Sequence, residues 1–408
     1  MKYKLKDLGV FKNGANFPKG SYGEGIKIVN VKDLFPSHFI NYSELSELKN
    51  GVLKNQAQYL LQHGDLLFTR SSLVQSGTGM CAMIEYPEES IIFCGFIIRF
   101  RPNMDVVNPY FLVYLLRSQK YRQMFIQFAA QTTITNLNQK SLGEIEVDIP
   151  SMEQQEKVAN TLKSFDDKII VNKTINRKLD QQAHLIFDEW FGGYFGKSSV
   201  PAGWSEKELG DMDVLITDYV ANGSFKALAD NVQYLDVETN NVLIRLTDYN
   251  NNYSSDMVYI SDDAYEFLAK SKLFGDEIII SNVGANVGTV FRCPRLEKRM
   301  SLGPNAILLR STVYGHYLYL LFSGAYGQYL LSTIVTGSAQ PKFNKTNFRS
   351  LKIVVPDTKT LEKFNAIYSP VFEQITLNNI ENTHLANARN TLIPHLMFGE
   401  LDLTGIDL

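Results

Sequence analysis

The chain has 408 residues, 45% hydrophobic, 20% charged and 12% aromatic, with a formal net charge of −3. That is a globular composition, and at roughly 100–200 residues per domain it predicts two to four structural units. The three cysteines, Cys81, Cys94 and Cys293, form no CxxC or Cys/His pairing, which argues against a disulfide framework or a zinc site and for a reducing compartment, the cytoplasm. The start, Met1 to Asp7, has no apolar core of a signal peptide, and no stretch approaches the ~18 uninterrupted apolar residues of a spanning helix. A soluble protein without metal, cofactor or membrane is expected.

In chain order, Ile26–Val31, Asp65–Thr69, Ile91–Phe100 and Ile145–Ile149 read as strands, short apolar runs punctuated by Gly, Asn, Ser and Pro. One amphipathic helix interrupts them at about 109–130. A long periodic helix follows at about 151–191. Strands resume at Val242–Leu246, Glu277–Ser281, Ala306–Arg310 and Leu351–Val355, interrupted by a helix at about 315–335, and a second long helix covers about 357–397.

This order is one plan written twice. Leu8-Gly9 recurs as Leu209-Gly210, and Tyr114-Leu115-Leu116-Arg117-Ser118 as Tyr319-Leu320-Leu321-Phe322-Ser323. At an offset of 211, Gly64-Asp65-Leu66 matches Gly275-Asp276-Glu277, and Gly77-Thr78 matches Gly288-Thr289. At an offset of 206, Asn138, Leu142, Pro150, Glu156 and Lys157 match Asn344, Phe348, Pro356, Glu362 and Lys363. Ordered self-similarity at near-constant spacing is the signature of duplicated structure. The expected fold is α+β: two strand-rich domains, 1–150 and 201–356, each followed by a helical segment, 151–200 and 357–408.

Along the first long helix, Val158, Leu162, Phe165, Ile169, Asn172, Asn176, Leu179, Ala183, Ile186 and Trp190 step by four and three, the 3.5-residue seam of a coiled coil. The second helix repeats the seam 206 residues later, from Phe364 through Asn378 and Asn382 to Arg389 and Leu396. In an antiparallel pair Asn172 would face Asn382 and Asn176 would face Asn378, so a slipped register would strand buried amides at ~1–3 kcal/mol each. A parallel pair also matches Asn to Asn. The four asparagines therefore either specify register, better than direction, or are polar residues tolerated near a partly wet surface. Pro370 predicts a kink or a late start of the second helix.

These residues together resemble the specificity subunits of Type I restriction-modification systems. Gly64-Asp65-Leu66-Leu67-Phe68-Thr69-Arg70 is similar to that family's Gly-Asp-apolar strand, Thr336 to Asn344 to its polar loop, and Ile149-Pro150 with Gln154-Gln155 to the start of its helix. The resemblance implies two target-recognition domains reading the halves of a bipartite, asymmetric site in double-stranded DNA. It implies that the two helices pair antiparallel as a spacer and dock two adenine-methyltransferase subunits, with restriction/motor subunits joining through that core. Residues 131–136 depart from the pattern by lacking the counterparts of Gly337 and Pro341.

Charge sets a limit on that reading. Residues 1–150 hold 16 Lys+Arg against 13 Asp+Glu, and residues 201–356 hold 14 against 16. Neither is a strongly basic module, so a partner is expected to supply much of the phosphate contact.

Catalytic signatures fail on spacing. Asn108-Pro109-Tyr110-Phe111 lacks the second proline of an adenine-methyltransferase motif, and an N-cap followed by proline explains it better. Gly192 to Ser198 is one residue short of a phosphate loop and follows a helix. Asp357 fits a helix N-cap rather than a nuclease core. The six histidines form no ligand pair, and a non-catalytic subunit is expected.

The candidate DNA contacts are polar residues of loops. In the first domain they are Lys12, Asn13 and Lys19, then Arg70, Ser71, Ser72, Gln75 and Ser76, then Thr132, Thr133 and Asn136. In the second they are Asn222 and Lys226, Ser281, Asn282 and Asn286, and Ser338, Gln340, Lys342 and Lys345. The run Arg292, Arg295, Lys298, Arg299 reads as a solvated face, with phosphate contact as the alternative. Two other functions remain open: the recognition part of a split Type II-like restriction-methylation enzyme, and a coiled-coil adaptor with no DNA role.

Overall fold

The computed structural model describes residues 1–71, 77–197, 199–251, 253 and 257–399, except residues 131–136 and the side chains of 128–130. The chain forms two compact units, one of Met1–Ile170 with Asn382–Leu408, the other of Val171–Glu381.

The first unit contains β1 (Lys2–Lys4), β2 (Gly9–Asn13), β3 (Gly25–Val29), β4 (Ser46–Lys49), β5 (Leu66–Thr69), β6 (Cys81–Met83), β7 (Ile91–Phe93), β8 (Ile97–Pro102) and β9 (Glu146–Asp148). An antiparallel sheet runs in the order β2-β8-β5-β6, a second in the order β4-β3-β7, and β1 pairs with β9. Strand β5 is buried on both faces. Leu66 and Phe68 point into one core, shared with helix Pro109–Arg117, while Leu67 points into another, shared with Ile28 and Ile92. The period-two alternation of a strand thus separates two apolar layers.

The second unit repeats the arrangement. Its strands are β10 (Ser205–Glu208), β11 (Leu215–Asp218), β12 (Asn241–Ile244), β13 (Val258–Tyr259), β14 (Lys272–Leu273), β15 (Ile278–Ser281), β16 (Val290–Arg292), β17 (Arg299–Leu302), β18 (Ala306–Arg310) and β19 (Lys352–Val355). They form sheets β11-β18-β15-β16, β13-β12-β17-β14 and β10-β19. In both units the second sheet holds a parallel pair, β3 with β7 and β12 with β17. Strand β14 has no counterpart among the described residues of the first unit.

Three local expectations are corrected. Each helix expected between the strands is two, Pro109–Arg117 with Gln119–Ala130 and Gly315–Ser323 with Ala325–Ile334, broken at Ser118 and Gly324, both extended. The run Ile91–Phe100 is two strands turning at Gly95. The second long helix starts at Thr358 despite Pro370, because Asp357 caps it, its carboxylate accepting from the Thr360 N–H at 3.0 Å. Asn108 caps helix Pro109–Arg117 as expected, accepting from the Tyr110 and Phe111 N–H groups.

Helices Met152–Phe191 and Thr358–Met397 each contribute to both units. In the first unit Val158, Ala159 and Leu162 share a core with Ile393, Leu396 and Met397. In the second, Phe187 and Phe191 share one with Leu361, Phe364 and Phe372. Low numbers on one helix meet high numbers on the other, so the segments within each unit are antiparallel. The Asn378 side chain donates to Asn176 Oδ1 at 2.7 Å, and Asn172, expected opposite Asn382, donates to Glu381 Oε2 at 2.7 Å. The buried face differs from the expected seam at both ends. Asp166, Phe187 and Phe191 are buried, because there the helix packs against a sheet domain as well as a helix.

The duplication also shifts by one residue. Asp65 is fully buried, accepts from the Gln62 N–H at 2.8 Å and takes Arg101 bidentately at 2.6 and 2.7 Å. In the second unit Glu277, not Asp276, fills this role: it accepts from the Phe274 and Gly275 N–H groups and from Arg310 of β18. Asp276 is an added residue in the left-handed region, at φ 71. Removing one partner of a buried ion pair costs about 3–5 kcal/mol. Asp65→Ala and Glu277→Ala are therefore expected to destabilise their units by about that much, and Asp276→Asn by under ~1 kcal/mol, measured by denaturant unfolding.

Candidate functional site

In each four-stranded sheet the strands alternate in direction, so one edge collects the end of one strand and the start of the next. In the first unit Asn13 pairs with Ile98, Thr69 with Ile97, and Phe68 with Cys81. This edge carries Lys12, Asn13, Arg70 and Ser71. In the second unit Asp218 pairs with Ile307, Ser281 with Ala306, and Ile280 with Val290, and the edge carries Ser281, Asn282 and the loop to Asn286.

The two edges are built alike. The Arg70 N–H donates to the Phe96 carbonyl and its carbonyl accepts from the Leu137 N–H; the Asn282 N–H donates to Asn305 and its carbonyl accepts from Phe343. Arg70 and Asn282 therefore occupy equivalent positions with different side chains. Likewise Gly79 and Gly288, both at positive φ, return their N–H groups to Thr69 and Ser281. The glycine expected to match Gly288 was Gly77. The intervening loop differs in length between the units, which displaces the match.

The polar loop of the second unit docks onto this edge. Val283 and Thr336 both bridge to Lys342, and Asn282 Nδ2 donates to the Phe343 carbonyl at 3.1 Å. Residues 336–340 and Lys342 are exposed. Lys345, at the start of helix Lys345–Arg349, pairs with Asp218 at 3.0 Å. Asn286 is exposed, whereas Ser281 is buried at 1% exposure, its hydroxyl out of a ligand's reach in this conformation. Asn222 is committed to folding, bonding Tyr219, Ser271 and Lys270. Lys226 is exposed on helix Phe225–Asn231.

In the first unit Lys12 donates to Gln58 at 3.2 Å. Asn13 and Lys19 are exposed, and Arg70 and Ser71 are half-buried. Ser72, Gln75, Ser76, Thr132, Thr133 and Asn136 lie outside the described residues. The basic run is engaged internally: Arg295 pairs with Asp276 and Glu373, Lys298 with Glu238, and Arg299 with Asp262 and Glu266. The Arg292 guanidinium lies over the Tyr319 and Phe372 rings.

Two features of these edges went unread in the sequence. Phe96, 64% exposed, sits at the turn before β8, and Phe225, 83% exposed, follows the loop after β11. Gly95, alone inside an apolar run, signals the first of these turns. The other feature is charge: residues 301–356 hold five Lys+Arg and no acid, a local imbalance hidden by averaging over 201–356. Among the described residues no helix is long and apolar enough to cross a membrane, and no group of three His, Cys, Asp or Glu could hold a metal ion.

Residues 1–181 and 201–387 match the family described as Type I restriction modification DNA specificity domain. Among curated relatives, the Type I restriction enzyme HindI specificity subunit of Haemophilus influenzae is 22% identical over 92% of this chain and 94% of its own. The MjaIX specificity subunit of Methanocaldococcus jannaschii is 24% identical over 98% of this chain and 92% of its own. Among solved structures, a Type I restriction-modification S subunit from M. genitalium shares the fold at a TM-score of 0.52 and 16% identity, over 99% of this chain and 96% of its own.

The candidate residues separate into those tied into the fold and those presented outward. Asn222→Ala, which removes three hydrogen bonds, to Tyr219, Ser271 and Lys270, is expected to cost about 1–3 kcal/mol. Lys226→Ala and Lys342→Ala are expected to stay within about 0.5 kcal/mol of the parent. Thermal melts of the three variants check the division.

Proposed function

The chain belongs to the Type I restriction modification DNA specificity family, and from that premise we propose that it is the non-catalytic, sequence-reading subunit of such a complex. Residues 1–150 and 201–356 each read one half of a bipartite site in double-stranded DNA. The long helices, within 151–200 and 357–408, set the distance between the halves and dock two adenine-methyltransferase subunits, through which restriction/motor subunits join. The complex works in the cytoplasm.

The observation that carries this reading is the duplicated sheet edge with unlike side chains. The Asn282 amide is turned inward onto the Phe343 carbonyl with its Oδ1 buried, so the second edge offers the exposed Asn286 and Lys342 where the first offers Arg70. Arg, Lys and Asn favour different base edges, and equivalent edges with unlike side chains suit an asymmetric site. The near-balanced charge assigns much of the phosphate contact to partners. The acid-free stretch 301–356, with Lys342 exposed, supplies a share, and the exposed Phe96 and Phe225 add apolar surface able to meet thymine methyl groups.

The test is the pattern of methylated adenines left by the complex reconstituted with its methyltransferase. Replacing residues 1–150 with the matching domain of a relative is expected to change one half-site and keep the other. A change in both halves would refute modular recognition. DNA binding unaffected by removal of the chain from the complex would favour the adaptor.

A further inference from the structure

The seam asparagines match one another in several pairings, so something else must select direction and partner. A buried ion pair in the first unit has that property. Asp166 is 3% exposed, accepts from the Tyr114 hydroxyl at 2.6 Å, and is paired with Arg389 of the other long helix. His38 Nδ1 lies 3.5 Å away, and burial beside Arg117 and Arg389 holds that imidazole well below its usual pKa, hence neutral. Arg117 is spent on the carbonyls of Leu34, Phe35, Ser37 and Cys81. Arg389 is thus the cation that bonds the buried carboxylate.

The repeat carries no such pair. The counterparts of Asp166 and Arg389, 206 residues away in the chain, are Phe372 and Ala183, both buried in the apolar core of the second unit. The same antiparallel register therefore joins opposite charges in one unit and two apolar side chains in the other.

Every parallel or like-with-like pairing breaks this matching. A parallel pair of the two helices at the asparagine register sets Asp166 against Phe372 and Arg389 against Ala183. The first helix paired antiparallel with the first helix of a second copy sets Asp166 against that copy's Ala183. The second helix paired with its own copy sets Arg389 against Phe372. Each leaves a buried charge without its counter-ion, the costly case, and a polar seam residue that fixes pairing at some expense in stability is the best-attested role of such groups.

We propose that Asp166 and Arg389 make the pairing of the long helices one-way and unlike-with-unlike, excluding both the parallel arrangement and the pairing of like helices from two copies. The test uses the full chain with the charges removed and polarity kept, Asp166→Asn with Arg389→Gln, and a second variant, Asp166→Ala with Arg389→Ala. Each is refolded from denaturant at micromolar concentration and its mass measured by light scattering. The parent is expected to return as monomer, and at least one neutral variant to give tenfold or more dimer, its like helices paired across two copies. Folded variants as monomeric as the parent would overturn the proposal, even if they melt lower, since that is the signature of a contact that only stabilises. So would failure of both variants to refold, because a device that only selects the partner is dispensable for folding.

Discussion

Each unit closes its core with residues from both long helices. The first needs Ile393, Leu396 and Met397 from the far end of the chain, and the second needs Ala183, Phe187 and Phe191 from the helix that leaves the first domain. Two helices of 40 residues each must therefore lie antiparallel before either core is complete. Burial at these positions is the dominant favourable contribution, and the polar seam contacts choose among ways of achieving it.

On that frame each unit presents a sheet edge whose geometry is repeated and whose side chains are not. The invariants are structural: a buried carboxylate gripping an arginine on the neighbouring strand, a glycine at positive φ, an asparagine capping a short helix. Asn138 and Asn344 both accept from the N–H three residues on. Between these fixed points stand the residues that differ, half-buried Arg70 in one unit and the exposed Asn286 and Lys342 in the other. A scaffold held by buried groups leaves the exposed positions able to change without loss of stability, as modular recognition requires.

Much of this was legible in the sequence because duplication writes the same physics twice. The offset of 206 located Asn138 with Asn344, and the 3.5-residue period located both long helices. The offset of 211 misled by one residue at Asp276, since Gly-Asp looks alike in both copies while only hydrogen bonding reveals that Glu277 takes the place of Asp65. Asp166 escaped notice because a heptad count follows apolar residues, and a buried acid is recognisable only beside its arginine. Ser281 and Asn222 looked available because they are polar, but a side chain's composition does not reveal whether it bonds outward or inward. Phe96 and Phe225 were passed over for the converse reason, apolar residues being expected inside.

The central claim is that recognition and spacing are separate properties of one chain. The antiparallel register shows where to lengthen both helices at one level: seven residues inserted after Thr174 and seven after Ile380. A heptad preserves the seam and adds about 10 Å at 1.5 Å per residue, close to three base pairs at roughly 3.4 Å each. Sequencing the adenines methylated by the complex reads the outcome directly. The account predicts both half-sites unchanged and the gap between them longer by about three base pairs. An active complex with the original gap, or with altered bases inside a half-site, would contradict it.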